Sequence, residues 1–168
     1  LWLTAPEHPL TARVMANRVW QWHFVTGLVA TGNDFGKMGT PPSHPELLDY
    51  LARRLVQGNW SLKKLHRLLV TSATYQQSSS IPNNSRGQQV DPKNYLLWRQ
   101  TRLRLDAEIV RDVSLAASGL LSKKMNGPPV YPPIPEGVLG LGQVKRPWPL
   151  SKGVDRYRRG LYTFVFRS

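Results

Sequence analysis

From Leu10 to Leu121 the chain alternates helical hydrophobic patterns with polar breaks rich in glycine and proline. Over Leu10 to Phe24, Ala12, Met15, Ala16, Val19, Trp22 and His23 share one wide face of a 3.6-residue wheel, and Arg13, Asn17 and Gln21 recur opposite them. Trp20 and Phe24 fall at the margins, so this first helix is expected to be apolar over most of its circumference and central to the fold. Gly27 supplies the expected stop, because glycine takes the left-handed C-terminal conformation without strain. Leu28 to Thr31 reads as a short extended segment.

The stretch Asn33 to Leu48 packs two glycines and three prolines among polar side chains, so local chemistry must set its backbone shape. Ser43 and Glu46 spell a capping box for a second helix running to about Gln57, a cap whose loss would cost about 1 kcal/mol. Leu47, Leu48, Leu51, Leu55 and Val56 form its apolar stripe, and Gly58-Asn59 ends it. Ser61 caps a third helix with Leu62, Leu65, Leu68, Leu69 and Ala73 inward and Lys63, Lys64 and Arg67 outward. Ser78 to Gln89 reads as a polar surface loop. Asp91-Pro92 predicts a short fourth helix through Trp98.

The fifth and longest pattern covers roughly Leu105 to Leu121, with Leu105, Ile109, Val113, Ala116 or Ala117, and Leu120 on one face. Asp106 and Glu108 fall in its first turn and Lys123 and Lys124 just past its last, which suits the helix dipole. Asn126 to Pro149 then holds seven of the 14 prolines and four glycines, too many for helix or sheet. At 157–166 the pattern fits either a strand (Tyr162, Phe164, Phe166) or a helix (Tyr157, Leu161, Phe164). The expectation is a mainly α fold: about five helices in an irregular bundle, a structured loop after helix one, and a Pro-rich C-terminal wrap.

Composition adds bounds. A chain of 168 residues with 40% apolar content and six Trp is expected to fold as a single domain, 1–168, burying roughly 70% of its unfolded surface. No run approaches the ~18 apolar residues of a membrane-spanning helix. With no Cys there is no disulfide, thiolate nucleophile or Cys metal site. Leu1 is not an initiator Met, and both ends lie in apolar sequence, so the chain reads as a piece of a longer polypeptide. The net charge of +13 is uneven: residues 1–60 are near neutral, whereas 61–104 carry eight basic groups against Asp91 alone and 123–168 carry nine against two. Such an excess favours polyanion partners such as nucleic acid, acidic polysaccharide or anionic lipid, unless it reflects a fragment parted from acidic neighbours. The candidate polyanion contacts are Lys63, Lys64, Arg67, Arg99, Arg102 and Arg104.

Motifs for chemistry are sparse. Asp34-Phe35-Gly36 lacks the partners of a kinase metal-binding tripeptide, and Gly32 to Met38 misses a phosphate-binding loop by spacing and by Met38. His8, His23, His44 and His66 are far apart without a ligand-spaced partner, so no metal site is expected. Asp106, Glu108 and Asp112 read as an ion-pair cluster with Arg102, Arg104 and Arg111. Helices two and three have the outline of a helix-turn-helix, with Arg67, Thr71, Ser72, Thr74, Gln76 and Gln77 as would-be contacts, although a plain helical hairpin accounts for them better. An enzyme reading would rest on a polar site of Asn17, Arg18, Asn33, Asp34 and His44; no catalytic residue is assigned, and the reading leans against an enzyme.

Taken in order, the runs 10–20 (LTARVMANRVW), 27–29 (GLV), 33–36 (NDFG), 42–49 (PSHPELLD), 60–68 (WSLKKLHRL), 72–78 (SATYQQS), 104–112 (RLDAEIVRD), 118–120 (SGL) and 158–164 (RRGLYTF) carry a resemblance. The chain resembles the C-terminal domain of unknown function of the large planctomycete cytochrome-C-domain-containing proteins, a planctomycete PSD-type domain. That resemblance implies a bacterial, exported protein, periplasmic or at the cell surface, in which this domain is joined to another uncharacterised domain, often to a haem module and sometimes to carbohydrate-binding-like domains. It implies no catalytic residue. Val25 stands where such sequences commonly have Gly, the Pro-rich segment is idiosyncratic, and the haem-attachment Cys-x-x-Cys-His is absent, so no cofactor is expected in this chain. The functional expectation is a non-catalytic scaffold or interaction module of a large multidomain protein, with a link to a cytochrome-c module and to polysaccharide handling. A carbohydrate-active or hydrolase-like enzyme and a helix-turn-helix-like nucleic-acid binder are the alternatives.

Overall fold

The computed structural model describes residues 2–81, 86–138 and 147–165. Part of the polar loop (82–85), part of the Pro-rich segment (139–146) and Phe166 lie outside the described residues. The fold is mainly α, with five α-helices among the described residues: α1 (Thr11–Phe24), α2 (Pro45–Gln57), α3 (Leu62–Val70), α4 (Arg86–Val90) and α5 (Ala107–Ala117). Among the described residues there is no strand, only two isolated parallel bridges, Ser122 with Arg158 and Val130 with Thr163. The chain divides into two compact units, Leu1–Leu103 and Arg104–Ser168.

In the first unit α1 packs against α2 and, less extensively, α3. The core joins Ala16, Val19, Trp20 and Phe24 of α1 to Leu48, Leu51 and Leu55 of α2 and Leu65 and Leu69 of α3, closed by Leu28 and Val29. The α2 stripe sits as its spacing predicts, and so do Leu65, Leu68 and Leu69 of α3, whereas Leu62 at the start of α3, expected inward, is 37% exposed. The α1 face does not: Asn17 is fully buried, while Trp22 is 58% exposed. The wheel counted Asn17 as polar and therefore outward, but its amide stands in for a strand partner. Asn17 Nδ2 donates to the Val29 carbonyl at 3.0 Å and Asn17 Oδ1 accepts from the Val29 N–H at 2.9 Å. Both polar groups of Val29, itself buried, are thus satisfied by one side chain. Residues 28–31 are therefore pinned bends rather than an extended strand.

Three helix boundaries also differ from expectation. Val25, not Gly27, is the left-handed residue after α1, with φ 73° and ψ −49°, and Thr26 N–H donates to the Phe24 carbonyl across it at 2.9 Å. This is a γ-turn of the strained positive-φ kind, uncommon for a β-branched residue. Gly27 is needed for a different reason: a Cβ there would lie 2.6 Å from the Val29 carbonyl oxygen and 2.8 Å from the Asn17 amide. The Ser43–Glu46 capping box does not form. Pro45 starts α2, so the N-cap position falls on His44, with no side-chain cap. Ser61 does cap α3, accepting from the Lys64 N–H at 3.4 Å. Ala73, expected inward, lies beyond the end of α3 and is exposed.

The predicted helix from Asp91 to Trp98 is replaced by a knot of turns. The Asp91 carboxylate accepts the N–H groups of Tyr95 and Leu96 at 2.9 and 2.7 Å, and Asn94 and Leu97 adopt φ of 59° and 56°. Asn94 in turn bonds Arg99 and Thr101. Asx side chains have captured the backbone groups a helix would have used. The helical residues lie just before, in α4, where Gly87 lets the Trp98 ring pack directly on the backbone.

In the second unit the expected face of α5 is reversed. None of its residues is buried; Ile109, Val110 and Val113 are 45%, 50% and 56% exposed, and Leu105 and Leu120 flank them equally open. The helix instead turns a polar side inward. Arg111 Nη2 donates to the Arg156 carbonyl at 2.7 Å, Asp112 Oδ1 accepts the Gly160 N–H at 2.6 Å, and Gly160 lies against Glu108. The expected ion pairs of Asp106, Glu108 and Asp112 with neighbouring arginines are not among those in the described residues, because Arg111 and Asp112 serve backbone groups.

The centre of this unit is Arg158, 1% exposed. Its guanidinium donates to the carbonyls of Pro128, Lys124 and Asn126 and lies 3.9 Å from the Tyr162 ring centroid. Proline-rich chain leaves carbonyls without intrachain donors, and a guanidinium with its fork of five N–H groups suits several at once. Residues 153–165 form neither a strand nor an α-helix but hold two 3-10 turns, Gly153–Tyr157 and Gly160–Tyr162, and Arg158 and Thr163 pair by single-residue bridges with Ser122 and Val130.

Candidate functional site

The five residues of the predicted polar site are each engaged, mostly in separate tasks. Asn17 is committed to Val29. Arg18 reaches Asn33, Nη2 to Oδ1 at 3.3 Å, on the exposed side of the loop. Asp34 braces its own turn: Oδ1 accepts the Gly36 N–H at 2.8 Å and its carbonyl accepts the Thr31 hydroxyl. His44 faces Ser43, Nδ1 to Oγ at 3.0 Å, and borders a small cleft with Trp20, Lys93 and Tyr95. Hydrogen bonds therefore bring together Arg18 and Asn33, but not the set.

A groove of about 580 Å³ lies elsewhere in this unit, bounded by residues 6–9 and by α1 and α2. Its floor carries the Arg13–Asp49 pair, Nε to Oδ1 at 2.6 Å. The hydrogen bond from Arg13 holds the Asp49 carboxyl below its ordinary value despite some desolvation, and Asp49 raises Arg13 in return. Sequence spacing gave no sign of this pair, which joins positions 36 apart.

Two histidines that the sequence left isolated also meet. His23, in the last turn of α1, and His66, on α3, lie with His66 Nδ1 3.3 Å from His23 Nε2 and ring centroids 5.0 Å apart. His23 Nδ1 is 2.8 Å from the Val19 carbonyl, an acceptor only, so that nitrogen bears the proton and Nε2 presents its lone pair to His66. Tyr75 meets His23 edge-on, and Gln100 donates to the His23 carbonyl at 3.3 Å. Desolvation first, and then the neighbouring His23, lowers the pKa of His66, which favours neutral imidazole. Among the described residues no group of three or more His, Cys, Asp and Glu converges.

The predicted polyanion contacts divide by exposure. Lys63, Lys64 and Arg67 stand on the outer side of α3, and Arg102 and Arg104 are exposed, the latter in the second unit. Arg99 is half-buried with its guanidinium 5.3 Å from the Trp98 ring centroid. The helix-turn-helix contacts lose their platform, because α3 ends at Val70; Thr71 and Ser72 then turn their hydroxyls onto the Arg67 and Leu69 carbonyls.

The family model described as "Protein of unknown function (DUF1553)", PSD1, matches residues 1–168. The chain belongs to the PSD1 family. Neither the curated proteins nor the solved structures contain a match to this PSD1 chain. No described helix is long and apolar enough to cross a membrane.

Proposed function

We propose that this PSD1 chain is a non-catalytic interaction module of a larger exported bacterial protein, docking onto an acidic domain of that protein through α5. The observation that carries this is the aliphatic face of α5, where Ile109, Val110 and Val113 are about half exposed and Leu105 and Leu120 extend the strip. Covering each of these side chains contributes about 1 kcal/mol, so the strip is a sizeable unspent association energy. Within the same unit the exposed Arg104 precedes it and the exposed Lys123 and Lys124 follow it. An apolar centre with a cationic rim fits a protein surface with an apolar patch bordered by carboxylates. An acidic polysaccharide would answer the charge but not the aliphatic strip, so a domain is the preferred partner, with a haem module among the candidates.

Titrating the chain against the separately produced remainder of its parent polypeptide tests this. Val113→Glu should fold normally and abolish binding, and Arg104→Ser should weaken it and reduce its salt dependence. Binding unchanged by Val113→Glu would refute the assignment of the face.

A further inference from the structure

We propose that His23 and His66 form a two-imidazole chelate for a divalent transition-metal ion. Two nitrogens bound to one tetrahedral ion at ordinary metal–nitrogen lengths stand roughly 3.3 Å apart, from bond lengths near 2.0–2.1 Å. The His66 Nδ1 to His23 Nε2 separation is 3.3 Å. The two rings come from different helices and are tilted by 43°, with a nitrogen of each turned toward the other.

The surroundings have the features that prepare an imidazole for metal. His23 is fixed in one tautomer by the Val19 carbonyl on its far nitrogen, which orients the ring and raises the donor strength of Nε2. Its backbone carbonyl is held by the Gln100 amide, whose own Oε1 is buried without a hydrogen-bond partner. Tyr75 closes one side of His23. Both imidazoles are only partly buried, which leaves an approach for the ion and positions for water.

Loading conserves protons. In the metal-free pair the His66 Nδ1 proton bridges to His23 Nε2; on binding it moves through solvent to His66 Nε2. Two metal–nitrogen bonds then replace two metal–water bonds. With nitrogen donors and no thiolate, affinity should follow the order Cu²⁺ above Ni²⁺, with Zn²⁺ below Cu²⁺.

Copper titration with electron paramagnetic resonance tests the site directly. The intact chain should bind one Cu²⁺ with hyperfine splitting from two equivalent nitrogens. His66→Gln should lose that signature and at least about tenfold in affinity, whereas the double variant His8→Gln, His44→Gln should keep both. The unsubstituted chain gives a second readout that depends on no variant: in imidazole ¹H–¹⁵N spectra, Zn²⁺ should shift His23 Nε2 and His66 Nδ1 together and leave His8 and His44 in place. A two-nitrogen signal that survives His66→Gln, or Zn²⁺ shifts confined to His8 and His44, would overturn the proposal and leave the pair a plain hydrogen bond.

Discussion

Replacing Asn17 by Ala should be the most damaging small substitution in the first unit. The amide makes both hydrogen bonds of Val29, at 3.0 and 2.9 Å, in a place where Asn17 is 0% and Val29 2% exposed. Removing it strands one buried N–H and one buried carbonyl, each costing about 1–3 kcal/mol, so a loss of about 3–4 kcal/mol is expected. Against a typical total of about 5–15 kcal/mol this is a large share. Asn17→Asp should be no better, since it keeps the acceptor but sets a buried charge against the Val29 carbonyl. Urea unfolding followed by tryptophan fluorescence measures the loss, with Trp20 buried beside the site. Gly27→Ala supplies a cross-check, because its methyl would meet the Asn17 amide and the Val29 carbonyl at 2.8 and 2.6 Å. Without the Asn17 amide, part of that clash disappears, so the two substitutions should couple by about 1 kcal/mol. A loss under about 1 kcal/mol for Asn17→Ala, or strict additivity with Gly27→Ala, would refute the clamp.

Other outcomes follow from the same contacts. Val25→Gly should stabilise by roughly 0.5–1 kcal/mol in urea unfolding, because relief of the positive-φ turn exceeds the added chain entropy and the packing lost from a side chain already 41% exposed. Asp49, with its pKa held below 3.8 by Arg13, contributes stability that is complete above that value and is lost as pH falls through the depressed one; Asp49→Asn should flatten the acid limb of the urea midpoint against pH. The amplitude should be small and salt-sensitive, since the pair is well exposed. Arg158→Lys should cost about 2–4 kcal/mol, one ammonium being unable to serve the carbonyls of Pro128, Lys124 and Asn126 together, and should show as lost amide protection at Ser122 and Val130.

How far the sequence foretold this follows from which forces act locally. The α2 stripe and Leu65, Leu68 and Leu69 of α3 were legible because leucines at helical spacing share one face that can be buried, while Leu62, in the first turn of α3, stays exposed. The Asn33–Pro42 loop was legible as structured, and Asp34 does brace its turn, because an Asx turn depends on residues two apart. Asn17 and Trp22 were misplaced because a wheel scores polarity and cannot see that Val29 needs an amide. Asp91 read as a helix start since Asp-Pro has that propensity, but Asp91 and Asn94 found better partners in the following N–H groups. The α5 pattern was correct as a helix and wrong as a burial map: Arg111 and Asp112 are spent on the backbone around Arg158, which turns the aliphatic strip outward. The His23–His66 and Arg13–Asp49 contacts join residues 43 and 36 positions apart and had no sequence signal at all.

That outward strip carries the functional account, and hydrogen–deuterium exchange across 105–120 addresses it most directly. Compared between this chain alone and the same residues within the full parent protein, the account predicts strong added protection over α5, lost on Val113→Glu. Equal exchange in the two settings would contradict it.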